Sequence, residues 1–160
     1  MFKKLLPAIT ALVSLVVGVF VFLSLQYDFK TLDGNKWRME DQKGQWIIIN
    51  HFAEWCAPCL EEVPELNKLD EQLKGTGMQL FAVSYDEMPT QALVDIRERY
   101  DMQFKLVEQK YAAKLPGSKP KQLPATYLIS PNGQHVETVL GKQTAESLLS
   151  AVSRAKMSTN

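Results

Sequence analysis

The sequence is short of several features that mark common function classes. It contains only two cysteines among 160 residues, with no second CxxC pair and no methionine cluster near the first. Thiolate pairs do bind soft metals, so these absences disfavour a metal-binding module without removing it as an alternative. No basic run stands out, and 18 Lys and Arg balance 18 Asp and Glu. We therefore expect no nucleic-acid partner.

Charge is also absent from 21 consecutive residues, 5–25. At about 1.5 Å per residue, a helix of this length spans the hydrocarbon core of a bilayer, which is roughly 30 Å thick. Lys3 and Lys4 precede it, which predicts a cytoplasmic N-terminus and an exported remainder. We expect residues 1–26 to form a transmembrane signal anchor and residues 27–160 to form one domain.

A cleavable signal peptide is the alternative interpretation of the same segment. Its apolar region is normally about 7 to 15 residues long and ends in an A-x-A-like site. Residues 22–26 offer no such site, and no cysteine follows closely enough for a lipid-modified N-terminus. Both interpretations export the domain to an oxidising compartment.

The two cysteines lie where a strand ends and a helix begins. Residues 46–49 are apolar and rich in β-branched side chains, which predicts a strand buried on both faces. Beyond Cys59, apolar residues recur every three or four positions, which predicts a helix with one buried stripe. The unpaired N–H groups and positive dipole of a helix start favour a thiolate at Cys56. Cys59, one turn later, can close a disulfide with it.

This arrangement supplies an exposed nucleophile, Cys56, and a shielded resolving thiol, Cys59, as thiol–disulfide exchange requires. A structural staple is the competing interpretation of a lone cysteine pair in an oxidising compartment. Staples mostly close long loops, because those constrain the unfolded chain more. A four-residue CxxC loop at this corner therefore indicates a redox-active pair.

The remaining pattern predicts an α/β sheet with helices on both faces and a site beyond the carboxyl ends of its strands. A hairpin around residues 33–35 should cover one edge of the sheet. Residues 108–123 form a connector that the pattern does not resolve. The other predicted elements are strands at 78–84, 104–107, 123–130 and 135–141 and helices at 90–100 and 144–157.

Four segments together resemble the TlpA-like (TlpA/ResA-type) membrane-anchored thioredoxin-fold proteins of bacteria: residues 44–50, 53–59, 62–64 and 123–129. The resemblance implies a thioredoxin fold, a central mixed sheet flanked by helices, with an N-terminal β-hairpin and one preceding transmembrane helix. It implies a protein thiol–disulfide oxidoreductase that reduces exported proteins on the periplasmic side of the cytoplasmic membrane. A membrane thiol-transfer protein would supply electrons, and the Cys56–Cys59 disulfide would be the only redox group, without cofactor or metal.

Carried over by position, Cys56 is the nucleophile and Cys59 the resolving thiol. Pro124 matches the family's cis-proline, which places the backbone of Leu123 beside the sulfurs, where it can pair with an extended substrate. Trp55 would shape the recognition surface or form an aromatic lid without specificity. Residues 119–122 replace the Gly-Val-Tyr-Gly-like stretch of the cytochrome-maturation subset, so a role in cytochrome c biogenesis is unsupported.

Glu62 matches an acidic residue that this family has three places after its second cysteine. Partly buried, it would have a raised pKa and could take the proton that Cys59 must lose. A solvated carboxylate is the alternative. Asn50 replaces the buried aspartate of cytoplasmic thioredoxins, which shifts proton transfer onto Glu62 or water. His51 should be a packed side chain, and Pro64 should kink the first helix.

The direction of electron flow depends on the residues between the cysteines. Ala57-Pro58 keeps the proline of reducing thioredoxins and lacks the histidine of strongly oxidising relatives, which favours reduction. Two alternatives stay open: a disulfide oxidase or isomerase with the same fold, and a copper or haem-assembly chaperone that uses the CxxC pair as ligands.

Overall fold

The computed structural model describes residues 12–20, 22 and 26–158. Residues 12–20 are helical and exposed. Most of the predicted anchor, residues 1–26, lies outside the described part, so the transmembrane helix and the domain boundary stay predictions. Among the residues described, no helix has the length and apolar character needed to cross a bilayer.

The domain is organised around a five-stranded mixed sheet in the order β5-β4-β3-β6-β7, beside a two-stranded hairpin of β1 and β2. The central strand β3 is parallel to β4 and antiparallel to β6. Its Ile48 and Ile49 are fully buried, as predicted for a strand covered on both faces. The strands are β1 (Phe29–Lys30), β2 (Lys36–Trp37), β3 (Ile47–Phe52), β4 (Gln79–Ser84), β5 (Lys105–Leu106), β6 (Ala125–Ile129) and β7 (His135–Leu140).

The α-helices lie on one face of this sheet, which corrects the expectation of helices on both. Buried side chains of α2 (Val63–Leu73), α3 (Thr90–Arg99) and α4 (Ala145–Ser158) share one cluster with Ile48 and Phe52 of β3. Because β3, β4 and β5 are parallel and step in one direction, right-handed crossovers place both connecting helices on the same side. The helices are α1 (Ala57–Glu61), α2 (Val63–Leu73), α3 (Thr90–Arg99) and α4 (Ala145–Ser158), with 3₁₀ segments at Glu40–Gln42 and Gln109–Lys114.

The opposite face is covered by the N-terminal hairpin and the Gln109–Lys114 segment. Phe29 of β1 packs edge-to-face on Phe81 of β4, with 5.1 Å between ring centroids. The chain after β1 also bonds to the sheet edge, because the backbone N–H of Leu32 donates to the carbonyl of Leu106 at 2.9 Å. The predicted hairpin is therefore confirmed, and it covers part of a face as well as the edge.

The connector that the pattern did not resolve is held to the sheet by Tyr127. The Tyr127 hydroxyl donates to the carbonyl oxygen of Ser118 at 2.7 Å. Gly117 has φ +95°, and a Cβ added there would lie 2.7 Å from the Tyr127 ring. The glycine lets the connector approach the ring closely while it keeps a left-handed backbone.

We expect Gly117→Ala to lower the free energy of unfolding by about 1–3 kcal/mol. A methyl group there meets the Tyr127 ring as well as an unfavourable φ. Gly133→Ala is the matched control, because Gly133 also has positive φ (+81°) but nothing lies within 4 Å of its added Cβ. Urea unfolding compares the two variants. Equal losses would show that the contact with Tyr127 contributes nothing.

Candidate active site

Cys56 and Cys59 form a disulfide at the start of α1, with 5.3 Å between their Cα atoms. Cys56 caps the helix in an extended conformation, and its carbonyl accepts bonds from the N–H groups of Cys59 (2.9 Å) and Leu60 (3.2 Å). Pro58 lies in the first turn, where its missing N–H leaves no helical bond unmade. The predicted strand-to-helix corner is confirmed.

Cys56 is less exposed in the structure than the sequence predicts. Cys56 is 5% exposed and Cys59 is 1% exposed. Cys56 is thus the more accessible cysteine, but it is not the openly exposed nucleophile that the sequence predicts. Its bond to the covered Cys59 holds it in the same buried cluster as Val63 and Phe52.

A break in the helix after the cysteines separates α1 from α2 at Glu62. Pro64 occupies the first turn of α2, and the Glu62 N–H bonds to the carbonyl of Leu60 instead of continuing the regular helix. Because proline lacks an N–H and its ring clashes with the preceding turn, it interrupts the helical ladder there. The predicted kink is confirmed.

The Glu62 carboxyl is fully buried. Its Oε1 accepts a bond of 2.6 Å from Asn50 Nδ2, and its Oε2 accepts one of 3.0 Å from the backbone N–H of Gln143. Burial raises the pKa of Glu62 from 4.5 to about 7, although the two donors and the charge of Lys142 act in the opposite direction. The alternative of a solvated carboxylate is therefore wrong for this structure. The proton-transfer role stays a prediction.

The sequence did not identify Asn50 and Gln143 as hydrogen-bond donors to the Glu62 carboxyl. Asn50 is buried within β3, and its Nδ2 donates to both Glu62 and Thr126, the latter at 3.1 Å. The resemblance identified Asn50 only as a non-titrating substitute for an aspartate. Gln143 contributes a backbone N–H, which carries no signature in sequence.

Replacing Asn50 with Leu is expected to raise the pKa of Glu62 further, by about one unit. The substitution removes a donor that stabilises the ionised carboxylate, and it leaves the burial that opposes ionisation. Carbon-13 NMR titration of the Glu62 carboxyl measures the change. Thr126→Val is the matched control, because it removes the other partner of the Asn50 amide without touching Glu62. If the pKa of Glu62 were unchanged in Asn50→Leu, Asn50 would not be a donor that stabilises the ionised carboxylate.

The predicted substrate-contacting residues, Trp55, Leu123 and Pro124, differ in their exposure. Trp55 is 67% exposed, and its Nε1 donates to Asp86 Oδ2 at 2.7 Å. The Leu123–Pro124 peptide bond is cis, as the resemblance implied. Leu123 packs against the cluster that contains both cysteines, and Pro124 is buried. An exposed aromatic ring thus directly precedes Cys56 in the chain, and the backbone before Pro124 packs against the cluster that contains both cysteines.

His51 is packed, as predicted for a histidine at the end of a strand. Its ring lies 4.5 Å from the Tyr127 ring, which in turn stacks on His135 at 4.2 Å. Burial lowers the pKa of His51 to about 4, and the nearby His135 acts in the same direction. The imidazole is therefore neutral at pH 7. In the described ranges 12–20, 22 and 26–158, no group of three or more His, Cys, Asp or Glu side chains could hold a metal ion.

Comparisons with known proteins agree with this geometry. The AhpC/TSA family matches residues 24–137. The chain is 32% identical over 117 residues to thiol-disulfide oxidoreductase ResA of a Bacillus cereus strain, covering 73% of this chain and 67% of the relative. It is 30% identical over 117 residues to ResA of Geobacillus kaustophilus, with the same coverage.

Many solved structures share the fold, and two of them illustrate the likeness. One is the exposed lipoprotein thioredoxin Etrx1 of Streptococcus pneumoniae, with a TM-score of 0.67 and 18% identity over 79% of this chain and 96% of that one. The other is StoA of Bacillus subtilis, with a TM-score of 0.64 and 22% identity over 78% of this chain and 93% of that one. At these identities the likeness establishes the thioredoxin-like fold alone.

Proposed function

Because this chain belongs to the AhpC/TSA family and is a TlpA/ResA-like thiol–disulfide oxidoreductase, we propose that it reduces disulfides in exported proteins. The observation that carries the proposal is the Cys56–Cys59 pair at the first turn of α1, one helical turn before the buried carboxyl of Glu62. The pair supplies the two electrons, and the carboxyl supplies a proton acceptor.

The reaction starts from the reduced dithiol. The Cys56 thiolate, stabilised by the N–H groups of the helix start, attacks one sulfur of a substrate disulfide and releases the other as a thiolate. Cys59 then loses its proton and attacks the Cys56 sulfur. This step forms the Cys56–Cys59 bond and releases the second substrate thiolate. Two electrons move from the dithiol to the substrate, and both substrate thiolates take up protons.

Glu62 is the proposed acceptor of the Cys59 proton. A pKa of about 7 lets a carboxylate gain and lose a proton near neutral pH, which is the condition for general acid–base catalysis. Asn50 and the N–H of Gln143 each donate to one oxygen of the carboxyl and so fix its position. Since Asn50 does not titrate, Glu62 carries this step within the buried site.

Substrate recognition is assigned to Trp55 and to the backbone of Leu123 ahead of Pro124. The exposed Trp55 ring offers apolar contact area, and an extended substrate segment can pair with the Leu123 backbone as an added strand. Pro124 follows this backbone directly and is buried. These contacts depend on the backbone and the shape of the substrate and not on particular side chains. They therefore suit several protein substrates.

The proposed location is the extracytoplasmic side of a bacterial cytoplasmic membrane. The uncharged residues 5–25, preceded by Lys3 and Lys4, support a single-pass anchor with the domain outside. In that compartment a reductase needs a membrane thiol-transfer protein to re-reduce it, because the surroundings are oxidising. The proposed partners are this reductant and exported proteins that contain disulfides.

Replacing Cys59 with Ala in cells is expected to trap substrates on Cys56 as mixed disulfides. The variant can make the first attack but cannot resolve it, so covalent adducts should be visible on non-reducing gels and disappear with dithiothreitol. Mass spectrometry then identifies the trapped proteins. The Cys56→Ala, Cys59→Ala double variant is the control and should trap nothing.

The direction of electron flow is tested on the purified protein. Equilibration with glutathione buffers gives the potential of the Cys56–Cys59 pair, and a value well below that of the glutathione pool is expected for a reductase. A potential near the oxidising end would overturn the reducing role and favour the oxidase or isomerase. Stoichiometric metal on the reduced protein would instead favour the chaperone.

A further inference from the structure

A cleft of about 920 Å³ lies on the face of the sheet opposite the helices. We call it the lateral cleft. One wall is the loop from Ser84 to Pro89, the other is the connector from Gln109 to Lys119, and His51 lies at its base. The volume is within the range of roughly 300–1,000 Å³ that is typical of ligand sites. None of the residues assigned to the reaction lines it.

Two side chains that line this cleft each carry a buried polar atom with no hydrogen-bond partner within the described part of the chain. The atoms are Nε2 of His51 and Oε1 of Gln109. Buried polar atoms are nearly always paired, and an unpaired one destabilises the folded state. Both atoms are shielded from solvent, so each gains a partner only when its side chain turns toward a molecule held in the cleft.

The cleft adjoins the rim of the disulfide site. Tyr85, in its first wall, makes an edge-to-face contact with Trp55 at 6.1 Å between ring centroids. The next residue, Asp86, accepts the indole N–H of Trp55. Lys119 of the second wall lies 3.7 Å from the centre of the Tyr85 ring, so the two walls meet there. Trp55 directly precedes Cys56, and the cleft therefore continues the surface beside the sulfurs.

The chemistry of the walls favours a polypeptide over a small anion. Glu87 opposes Lys110 and Lys119, and Lys110 is already paired with Glu108 at 2.8 Å. A glutamine amide and a neutral imidazole each both donate and accept, as successive peptide groups do. Much of the remaining lining offers apolar contact area, including Val83, Met88, Pro89, Ala113, Leu115 and Pro116.

We propose that the lateral cleft binds the segment of the substrate polypeptide that flanks its disulfide. The segment lies extended, its backbone pairs with Gln109 and His51, and an apolar side chain fills the space between the walls. Binding there holds the substrate while its disulfide reacts at Cys56. This proposal rests on the proposed reductase function and adds a sequence preference to it: an apolar residue near the reactive disulfide.

The test compares large and small disulfides on the full-length, fully reduced chain in detergent. Stopped-flow kinetics give the rate constants for insulin and for bis(2-hydroxyethyl) disulfide, a small disulfide that has no polypeptide segment to occupy the cleft. Ala113→Trp fills the cleft from an exposed position, and Gln109→Leu removes the unpaired oxygen. Lys114→Trp is the matched control, because Lys114 is exposed, adjacent, and does not line the cleft.

We expect Ala113→Trp to slow the reaction with insulin by about tenfold, and Gln109→Leu by about threefold to tenfold. The reaction with bis(2-hydroxyethyl) disulfide should change by less than about twofold in every variant, and Lys114→Trp should match the wild type on both substrates. Equal slowing on both substrates, or no slowing on insulin, would overturn the cleft proposal. A wild-type chain inactive on both would overturn the reductase function itself.

Discussion

Replacing Cys56 with Ser is expected to lower disulfide-exchange activity by at least about a thousandfold. A serine hydroxyl does not ionise near neutral pH, so no nucleophile remains at the start of α1 to attack a substrate sulfur. Cys59 cannot take over, because it is 1% exposed beneath the helix start. Insulin reduction with dithiothreitol as the electron source measures the loss.

The Cys59→Ser variant shows whether activity is lost because the attacking thiol is missing or because the disulfide pair cannot form. This variant keeps Cys56 and should still release one thiol per molecule from an activated disulfide such as dithionitrobenzoate, and then stop. Cys56→Ser should release almost none. If Cys56→Ser retained full turnover, or if both variants lost the first step equally, Cys56 would not be the attacking residue.

The corner that carries the cysteines was predictable because its determinants are local. The β-branched run of residues 46–49 predicts a buried strand, and the spacing of apolar residues after Cys59 predicts a helix stripe. Pro58 lies in the first turn of the predicted helix, and Pro64 predicts the kink that separates α1 from α2. Each of these signals lies within a few residues of the feature it predicts.

The coverage of the second sheet face was not predictable in the same way. Its cluster joins residues as distant as Phe29, Phe81 and Tyr127, whose contacts depend on strand order. The connector at 108–123 has no regular period, and its position depends on Tyr127 and Gly117. Neither the contacts of the cluster nor those of Tyr127 and Gly117 can be predicted before the order of the strands is known.

The surroundings of Glu62 combine both kinds of determinant. Its position three residues after Cys59 is local and identified it in the sequence. Its burial is not a local property, because the buried carboxyl needs hydrogen bonds from Asn50 of β3 and from the backbone N–H of Gln143. Gln143 is 81 residues from Glu62 along the chain. The raised pKa follows from that burial, so the sequence could predict its direction only as a consequence of an assumed environment.

Glu62→Gln is expected to remove a large part of the pH dependence of folding stability. In the unfolded chain Glu62 has its ordinary pKa of 4.5, and in the folded chain it has a pKa of about 7. The folded state therefore binds the proton more tightly, and its stabilisation is complete below pH 4.5. It is lost as pH rises to about 7, by roughly 3 kcal/mol in total. Glutamine does not titrate and should not show this loss.

Urea unfolding of the oxidised proteins at pH 4.5, 6 and 8 measures the effect as the difference between wild type and variant. Using this difference cancels His51, whose lowered pKa makes an opposite contribution that is present in both proteins. Glu61→Gln is the matched control, because the exposed Glu61 side chain bonds to Lys142 at 2.8 Å outside the buried site. Its pH profile should follow the wild type. Parallel profiles for Glu62→Gln and wild type would mean that Glu62 ionises normally in the folded protein, and the proposed proton acceptor for Cys59 would then be lost.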